Sequence, residues 1–380
     1  MTVDADIVIA GGGIVGMFAA LRSAEAGFTV ILLERDIRFG ELASSRNSGV
    51  LHAGLYYRPG SNKARLCVAG NRECYELAER WKVTHRRCGK LLIALTADDE
   101  EQLHKLKQTG EANGAEGLKL VTRERIAALE PNITGEAALW SQNIGIIDTP
   151  AFLAAVRAHA EQAGALILSN AEIEGIDHDG RILSIRTAGR GTVTCRAMVN
   201  ATGMAAASLA QALGFDEYEP YPVRGSYATV IPRHAGMIRN LVYPVPSSKM
   251  SLGVHLTKTV DGELLVGPTA ETVDPAIASY KLKEYRAALP RVSDLPPEED
   301  FLASAKPLLP ALKLEHLRPG YFGIRPKVKT KDGSVADDFI YRWHPDQLPV
   351  LHLLGFESPA FTSAPAIGRD VANKLKQRLA

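Results

Sequence analysis

The chain has 380 residues, 46% of them hydrophobic and 23% charged, with a formal net charge of +1 at pH 7. That is ordinary globular composition at a length suited to two intertwined domains. A charge so near zero excludes a global field that would draw the chain to nucleic acid or to an anionic membrane.

The first element carries the most information. Ile7 to Ala10 form a short apolar strand that breaks into Gly11, Gly12 and Gly13, followed by Ile14, Val15 and Gly16. An Ala- and Leu-rich helix runs on to Gly27, and a second strand, Thr29 to Leu33, ends on Glu34 and Arg35. This is a βαβ dinucleotide fingerprint in its required context. Gly11 permits the tight turn, Gly13 lets bare backbone approach a pyrophosphate, and Gly16 lets the helix pack closely on the sheet. The helix N-terminus offers unpaired N–H groups and the positive end of its dipole to phosphates. Glu34, 18 residues past Gly16, is placed to accept from ribose hydroxyls and to repel a 2′-phosphate, which argues against NADP. Alone, the segment does not distinguish NAD from FAD.

Further along, Asn71 to Trp81 reads as an amphipathic helix, Lys90 to Leu95 as a strand, and Asp98 to Asn113 as an exposed helix. Thr122 opens a short helix that Pro131 closes, and Thr149 to Gly164 is a helix with Pro150 in its first turn. Ala165 to Ser169 is a strand, Arg181 to Thr187 and Gly191 to Arg196 form a hairpin, and Ala197 to Ala201 is a separate buried strand ending on Thr202 and Gly203. Strands then dominate: Arg224 to Ile231, Leu241 to Val245, Ser251 to Thr257 and Glu263 to Val266, an antiparallel wall. Helices return at Ile277 to Ala288 and Asp300 to Leu309. Strands follow at Tyr321 to Lys329, around Asp338 to Trp343 and at Val350 to Leu354, and a last helix begins near Ala364.

The fold expected is α/β (α+β): an interrupted Rossmann-like FAD-binding domain with an inserted antiparallel-sheet substrate domain of the glycine oxidase type. The nucleotide pieces are residues 1–80, 149–215 and 345–380, and the substrate pieces 81–148 and 216–344. Three segments turn the reading toward flavin. Met198 to Met204, MVNATGM, resembles the Ala-Thr-Gly turn of flavoproteins with two dinucleotide-binding motifs, which assigns Ala201, Thr202 and Gly203 to the cofactor. Ser44, Ser45, Arg46, Asn47, Ser48 and Gly49 resemble the stretch that lies over the pyrophosphate and flavin edge in the D-amino-acid oxidase superfamily. Gly355 to Thr362, with Ser358, Pro359, Ala360, Phe361 and Thr362, resembles the segment whose backbone reaches the isoalloxazine ring. Gly323 joins this cofactor set.

Longer strings narrow the resemblance. SSRNSGVLHAGLYYRPGSNKARLC (44–67), LVYPVPSSKMSLGVHLTKTVDGELLVGP (241–268), PVRGSY (222–227) and GIIDTP (145–150) resemble L-2-hydroxyglutarate dehydrogenases and oxidases. Arg46 stands where that family often has His, and GIRPKVKTKDG (323–333) departs from the pattern of its animal members. The resemblance implies FAD, held non-covalently rather than through a histidyl bond at His52, and oxidation of an L-2-hydroxy acid, L-2-hydroxyglutarate foremost, to its 2-oxo acid.

Such a reaction needs a carboxylate clamp, a base for the hydroxyl proton, and a C2–H aimed at flavin N5. His52 and His255 are the candidate bases, because an imidazole is mostly neutral at pH 7. Arg224 and Arg325 are the candidate clamps, since a guanidinium fork matches a carboxylate. Tyr56, Tyr57 and Tyr243 are candidate phenol donors or packed core, and Thr362 either approaches the flavin or caps the last helix. Lys327, Lys329 and Lys331 read as a solvated basic loop, with anionic-membrane docking the weaker alternative. Ten histidines contain no HxxxH or HExxH pattern, so no metal is expected.

Four cysteines, Cys67, Cys74, Cys88 and Cys195, form no CxxC pair and are expected as reduced, mostly buried thiols. No targeting or transmembrane segment is expected, and the expected location is the cytoplasm, with peripheral contact to an inner membrane left open. The expected partners are a small 2-hydroxy acid and an electron acceptor that is oxygen, a quinone or a carrier flavoprotein, with no nucleic acid. The alternatives are an amine or amino-acid oxidase of the glycine oxidase type and a flavin-binding protein without catalysis.

Overall fold

The strand Ala5–Ala10 is buried along its length and lies between Val30–Leu33 and Gly191–Asn200, parallel to both. The computed structural model describes residues 3–246, 253–345 and 348–380. Around that strand runs a sheet of eight, whose main path is Ile173–His178, Leu183–Thr187, Gly191–Asn200, Ala5–Ala10, Val30–Leu33 and Leu166–Leu168, with Val350–Leu354 and Ile340–Trp343 joined to it through Gly191–Asn200. The helices Ile14–Glu25, Thr149–Gln162 and Ala360–Leu379 share one core with it. The two helices that bracket the chain meet closely, because a Cβ at Gly368 would stand 2.5 Å from the Phe18 carbonyl oxygen.

A second sheet of nine strands draws on both inserted stretches, with strands from 90–141 beside strands from 218–330. Its pairings are antiparallel except where Leu241–Pro244 runs parallel to Lys90–Ala94. A three-stranded sheet, Val50–Leu51, Gly145–Ile147 and His85–Arg86, is the third. Strands from both ends of the chain and from its middle therefore meet where the first two sheets face one cavity.

Several expected elements change shape. The helix expected from Asn71 is Asn62–Arg80, started by Ser61, whose side chain accepts from the Ala64 amide. Its polar first turn hides the apolar stripe of Ala64, Leu66 and Cys67 behind it. The two strands expected over 191–201 are one, Gly191–Asn200, because no turn residue separates Arg196 from Ala197. Its first half pairs antiparallel with Leu183–Thr187 and its second half parallel with Val350–Leu354.

The strand expected from Arg224 spans Tyr218–Val230. Pro220 is tolerated there because it pairs on one side only, with Leu317–Thr330, and Pro222 because the other side uses its carbonyl, which accepts from the Val273 amide. The helix expected over Ile277 to Ala288 is a 3-10 turn, Pro275–Ala278, and a short helix, Leu282–Ala287. Of the strand expected over Ser251 to Thr257, residues 251–252 lie outside the described residues and the strand found is His255–Lys258. The last helix begins at Ala360 and carries Pro365 inside it, without the hydrogen bond proline cannot donate.

Candidate active site

The glycines act where backbone crowds backbone. A Cβ at Gly11, where φ is +107°, would stand 2.5 Å from the Ala201 carbonyl oxygen, and one at Gly16 would stand 1.9 Å from that of Gly11. Gly11 and Gly16 thus shape the turn from beneath it and do not line the cavity, whereas Gly13, Ile14 and Val15 do. The Ile14 amide, at the helix N-terminus, is held at 3.0 Å by Ser44 Oγ. Glu34 lies behind the turn: Oε2 accepts from the Gly12 amide at 2.7 Å and Oε1 from the Asp36 amide at 2.9 Å.

The cavity has a volume of about 940 Å³, at the upper end of small-molecule and cofactor sites. Of the residues expected at the cofactor, Gly13, Ile14, Val15, Ser44, Asn47, Ser48, Ala201, Gly203, Gly323 and the run Ser358 to Thr362 line it. Besides Gly11, Gly16 and Glu34, four others lie off its walls. Arg35 donates to the Ser279 carbonyl and lies over the Tyr285 ring. Ser45 bonds the Gly40 carbonyl, Gly49 donates to Asn47 Oδ1, and Thr202 bonds Asn200 Oδ1. Gly323 is a packing glycine, since a Cβ there would stand 2.0 Å from the Arg46 carbonyl oxygen.

Both candidate histidines face the cavity. The His52 amide donates to Thr362 Oγ1 at 3.1 Å, and its carbonyl accepts from Asn71 Nδ2 at 2.9 Å. The backbone is pinned while Nδ1 of the ring has no hydrogen-bond partner among the described residues. Burial, and then the charge of Lys90, lower the His52 pKa to about 3. His255 is stacked on Tyr243 with ring centres 3.7 Å apart and planes 13° apart. Burial, Lys90 and Arg325, in that order, hold its pKa well below the usual imidazole value. Its Nδ1 also lacks a partner among the described residues.

The two arginines separate. Arg325 lines the cavity, with both Nη atoms 3.2 Å from the Thr269 carbonyl oxygen. Gly225 leaves it room, since a Cβ there would meet Nη2 at 2.9 Å. Arg224 is expected to clamp substrate but lies outside the cavity, paired with Glu271 at 2.6 Å. The reason is strand parity. Arg224 sits opposite Ile324 and Val223 opposite Arg325, so the two guanidiniums leave the ladder on opposite faces.

Other expectations shift too. Thr362 is not the N-cap, which is Pro359; its hydroxyl holds the His52 amide. Lys327 and Lys329 lie in the strand Leu317–Thr330, Lys331 alone stands exposed in the turn after it, and the three pair with Glu357, Glu219 and Asp216.

Sequence reasoning missed the cluster around Glu357. Lys63 Nζ at 2.5 Å and Lys327 Nζ at 3.1 Å share Glu357 Oε1, and all three residues line the cavity. Burial opposes ionisation there, yet the two ammonium groups hold the Glu357 pKa down to about 2. It missed Asn71 and Asn113 as well; Asn113 Nδ2 donates to the Gly54 and Tyr57 carbonyls and fixes the tyrosine loop. Among the described residues no cluster of three metal-ligating side chains occurs, and no helix is long and apolar enough to cross a membrane.

A glycine-framed helix N-terminus, neutral imidazoles, and an arginine from a second sheet, all on the wall of one cavity, fit an oxidoreductase built around a dinucleotide. The chain belongs to the FAD dependent oxidoreductase (DAO) family, which it matches over residues 6–374. It is 30% identical over 400 residues to L-2-hydroxyglutarate dehydrogenase of Escherichia coli K12, covering 99% of this chain and 94% of that protein. It is 28% identical over 420 residues to the human mitochondrial L-2-hydroxyglutarate dehydrogenase, covering 98% and 89%. Among solved structures it resembles FAD-bound, dithionite-reduced L-α-glycerophosphate oxidase from Mycoplasma pneumoniae, with a TM-score of 0.84 at 26% identity over 98% of this chain and 94% of that one. Glycine oxidase from Geobacillus kaustophilus shares the fold, with a TM-score of 0.77 at 21% identity over 99% and 95%. FAD is the cofactor of this family and of this chain.

Proposed function

We propose that this chain oxidises an L-2-hydroxy acid, L-2-hydroxyglutarate in first place, to the 2-oxo acid. The observation that carries the reading is the convergence of His52, His255 and Arg325 on one cavity whose other end is the Gly13 to Val15 helix start. The names of the relatives support the substrate class.

FAD fits the residues present: Gly13, Ile14, Val15, Ser44, Ala201 and Gly203 frame the nucleotide end, and Ser358 to Thr362 the flavin end. When bound it supplies the two-electron acceptor for the C2–H bond. The chain's own groups do the rest. Arg325 receives the 2-carboxylate, its planar fork fixing the orientation of C2. A neutral imidazole at His52 or His255 takes the hydroxyl proton as the C2–O bond becomes a carbonyl. Both rings are held unprotonated by burial and neighbouring cations, so each offers a lone pair at neutral pH. The substrate's negative charge offsets those cations on binding and raises the basicity of the ring that receives the proton.

The test is anaerobic reduction of the purified yellow protein. L-2-hydroxyglutarate should bleach the flavin band, and the D-enantiomer and glycine should not. Bleaching by glycine or a secondary amine with no response to the hydroxy acid would move the assignment to an amine oxidase.

A further inference from the structure

Lys90 opens the strand Lys90–Ala94 and its side chain is fully buried. Among the described residues its ammonium makes one hydrogen bond, to the Tyr56 hydroxyl at 2.7 Å, and no carboxylate lies within ion-pair distance. Two ring faces lie close to it, Tyr243 at 4.4 Å and Tyr56 at 4.6 Å. Burying a cation without a counter-ion is costly, and here the cost shows in a pKa that burial lowers to about 7. A lysine therefore stands where burial disfavours its charge.

Its position explains it. Tyr56 and Tyr243 line the same cavity as His255 and Arg325. The Tyr56 oxygen accepts from Lys90, and its own proton is donated to no acceptor among the described residues, so that proton is available to the cavity. An O–H polarised by an ammonium behind it is a strong donor to a carboxylate. His255 lies near both positive groups, since the charges of both Lys90 and Arg325 act on it. A ligand with one carboxylate at Arg325 and a second at Tyr56 would occupy the cavity that the imidazole also lines.

We propose that Tyr56 and the Lys90 ammonium behind it form the subsite for the second carboxylate of a short dicarboxylic 2-hydroxy acid and so set the preference for dicarboxylate over monocarboxylate substrates. The inference rests on the hydroxy-acid reading above and deepens it. Lys90 acts through Tyr56 and is a positioning residue; Tyr56 makes the contact. The missing counter-ion arrives with the substrate, and its arrival weakens the hold of Lys90 on both imidazoles. A monocarboxylate would leave that cation unpaired, which is how a buried polar site rejects an analogue.

The experiment uses the holoenzyme, its Lys90→Met variant, and Tyr56→Phe, which removes one hydroxyl and keeps the charge. Anaerobic flavin reduction is followed with L-2-hydroxyglutarate and with L-2-hydroxypentanoate, the same carbon chain ending in a methyl. The ratio of the two kcat/KM values should fall at least about 30-fold in Lys90→Met, the scale for removing one partner of a buried charge contact, and shift in the same direction in Tyr56→Phe. Glutarate, which has both carboxylates and no hydroxyl, reports the subsite by binding alone, and its Kd by calorimetry should rise at least about 30-fold in Lys90→Met. A ratio that stays constant, because both acids slow together or neither does, would overturn the subsite, as would a glutarate Kd that ignores Lys90 or no glutarate binding to the parent protein. Failure of L-2-hydroxyglutarate to reduce the parent flavin would instead sink the substrate assignment. Glutarate would then decide the subsite by itself: Lys90-dependent binding keeps it, Lys90-independent binding removes it.

Discussion

Arg224 Nη2 donates to Glu271 Oε2 at 2.6 Å, and the pair lies outside the cavity that Arg325 lines. A one-residue offset in register between two paired strands therefore leaves Arg224 outside the cavity and puts Arg325, the proposed substrate arginine, on its wall. Arg325→Met should lower kcat/KM for the hydroxy acid about 100-fold, mostly through KM, the scale for an unpaired buried carboxylate contact. Arg224→Met should change kcat/KM less than about threefold, while lowering stability by about 1 kcal/mol or less because Glu271 is half exposed. Stopped-flow reduction over a substrate range separates the two, and equal losses in both variants would undo the assignment.

Glu357 binds two lysines that reach it from different parts of the fold, Lys63 from the helix Asn62–Arg80 and Lys327 from the strand Leu317–Thr330. It precedes the run Ser358 to Thr362 that forms one cavity wall. Glu357→Gln leaves two buried ammonium groups without their counter-charge, which should cost about 3–5 kcal/mol and loosen that wall. Urea unfolding of the holoprotein gives the first effect, and the fraction of FAD retained through gel filtration gives the second. Parent-like values in both would show that the cluster holds nothing in place.

The nucleotide half of this molecule was legible because its signals are local. The positive φ at Gly11 and the approach of Gly16 to the Gly11 carbonyl are local demands, although Gly11 also makes room for Ala201, and strand, turn and helix follow each other in the chain. The substrate half was less legible because its geometry is set by register between distant strands. Arg224 and Arg325 look alike beside their glycines, and only the pairing of Val223 with Arg325 shows which one enters the cavity. Lys63, Glu357 and Lys327 are as much as 294 residues apart, so no spacing rule brings them together. Lys90 gave no signal at all. The proposed role rests on there being no carboxylate at ion-pair distance among the described residues, which a one-dimensional pattern does not record.

Buried neutral histidines make the fold acid-sensitive. Burial, and then His344, lower the His352 pKa to about 3, and His255 is held well below its usual value. A depressed folded-state pKa means that the unfolded chain binds more protons in the window between the two values. The contribution to stability is therefore complete above about pH 6.5 and is lost as the pH falls toward 3. For His52 and His352, both lowered to about 3, the loss between pH 6.5 and 5 is together roughly 3 kcal/mol. Glu357 adds little in that interval, because its unfolded carboxyl titrates near 4.5. Urea midpoints at half-unit pH steps would show the slope, and flat midpoints from pH 6.5 to 5 would mean that these rings are protonated in the native state.

Gly70 couples two helices to the candidate base. It lies in the helix Asn62–Arg80, and a Cβ there would stand 2.2 Å from the Thr362 carbonyl oxygen and 2.8 Å from Ser363 Cα. Both neighbours are backbone, so the last helix would have to move. Thr362 Oγ1 is the acceptor for the His52 amide, and its displacement would free the segment that carries the imidazole. Gly70→Ala should therefore cost about 1–3 kcal/mol of stability by overpacking, and also slow flavin reduction and weaken FAD retention. Gly236→Ala is the control, because a Cβ there meets nothing within 4 Å. If Gly70→Ala lost stability alone, with reduction rate and FAD content at parent levels, the approach of the two helices would be packing without a role in placing His52.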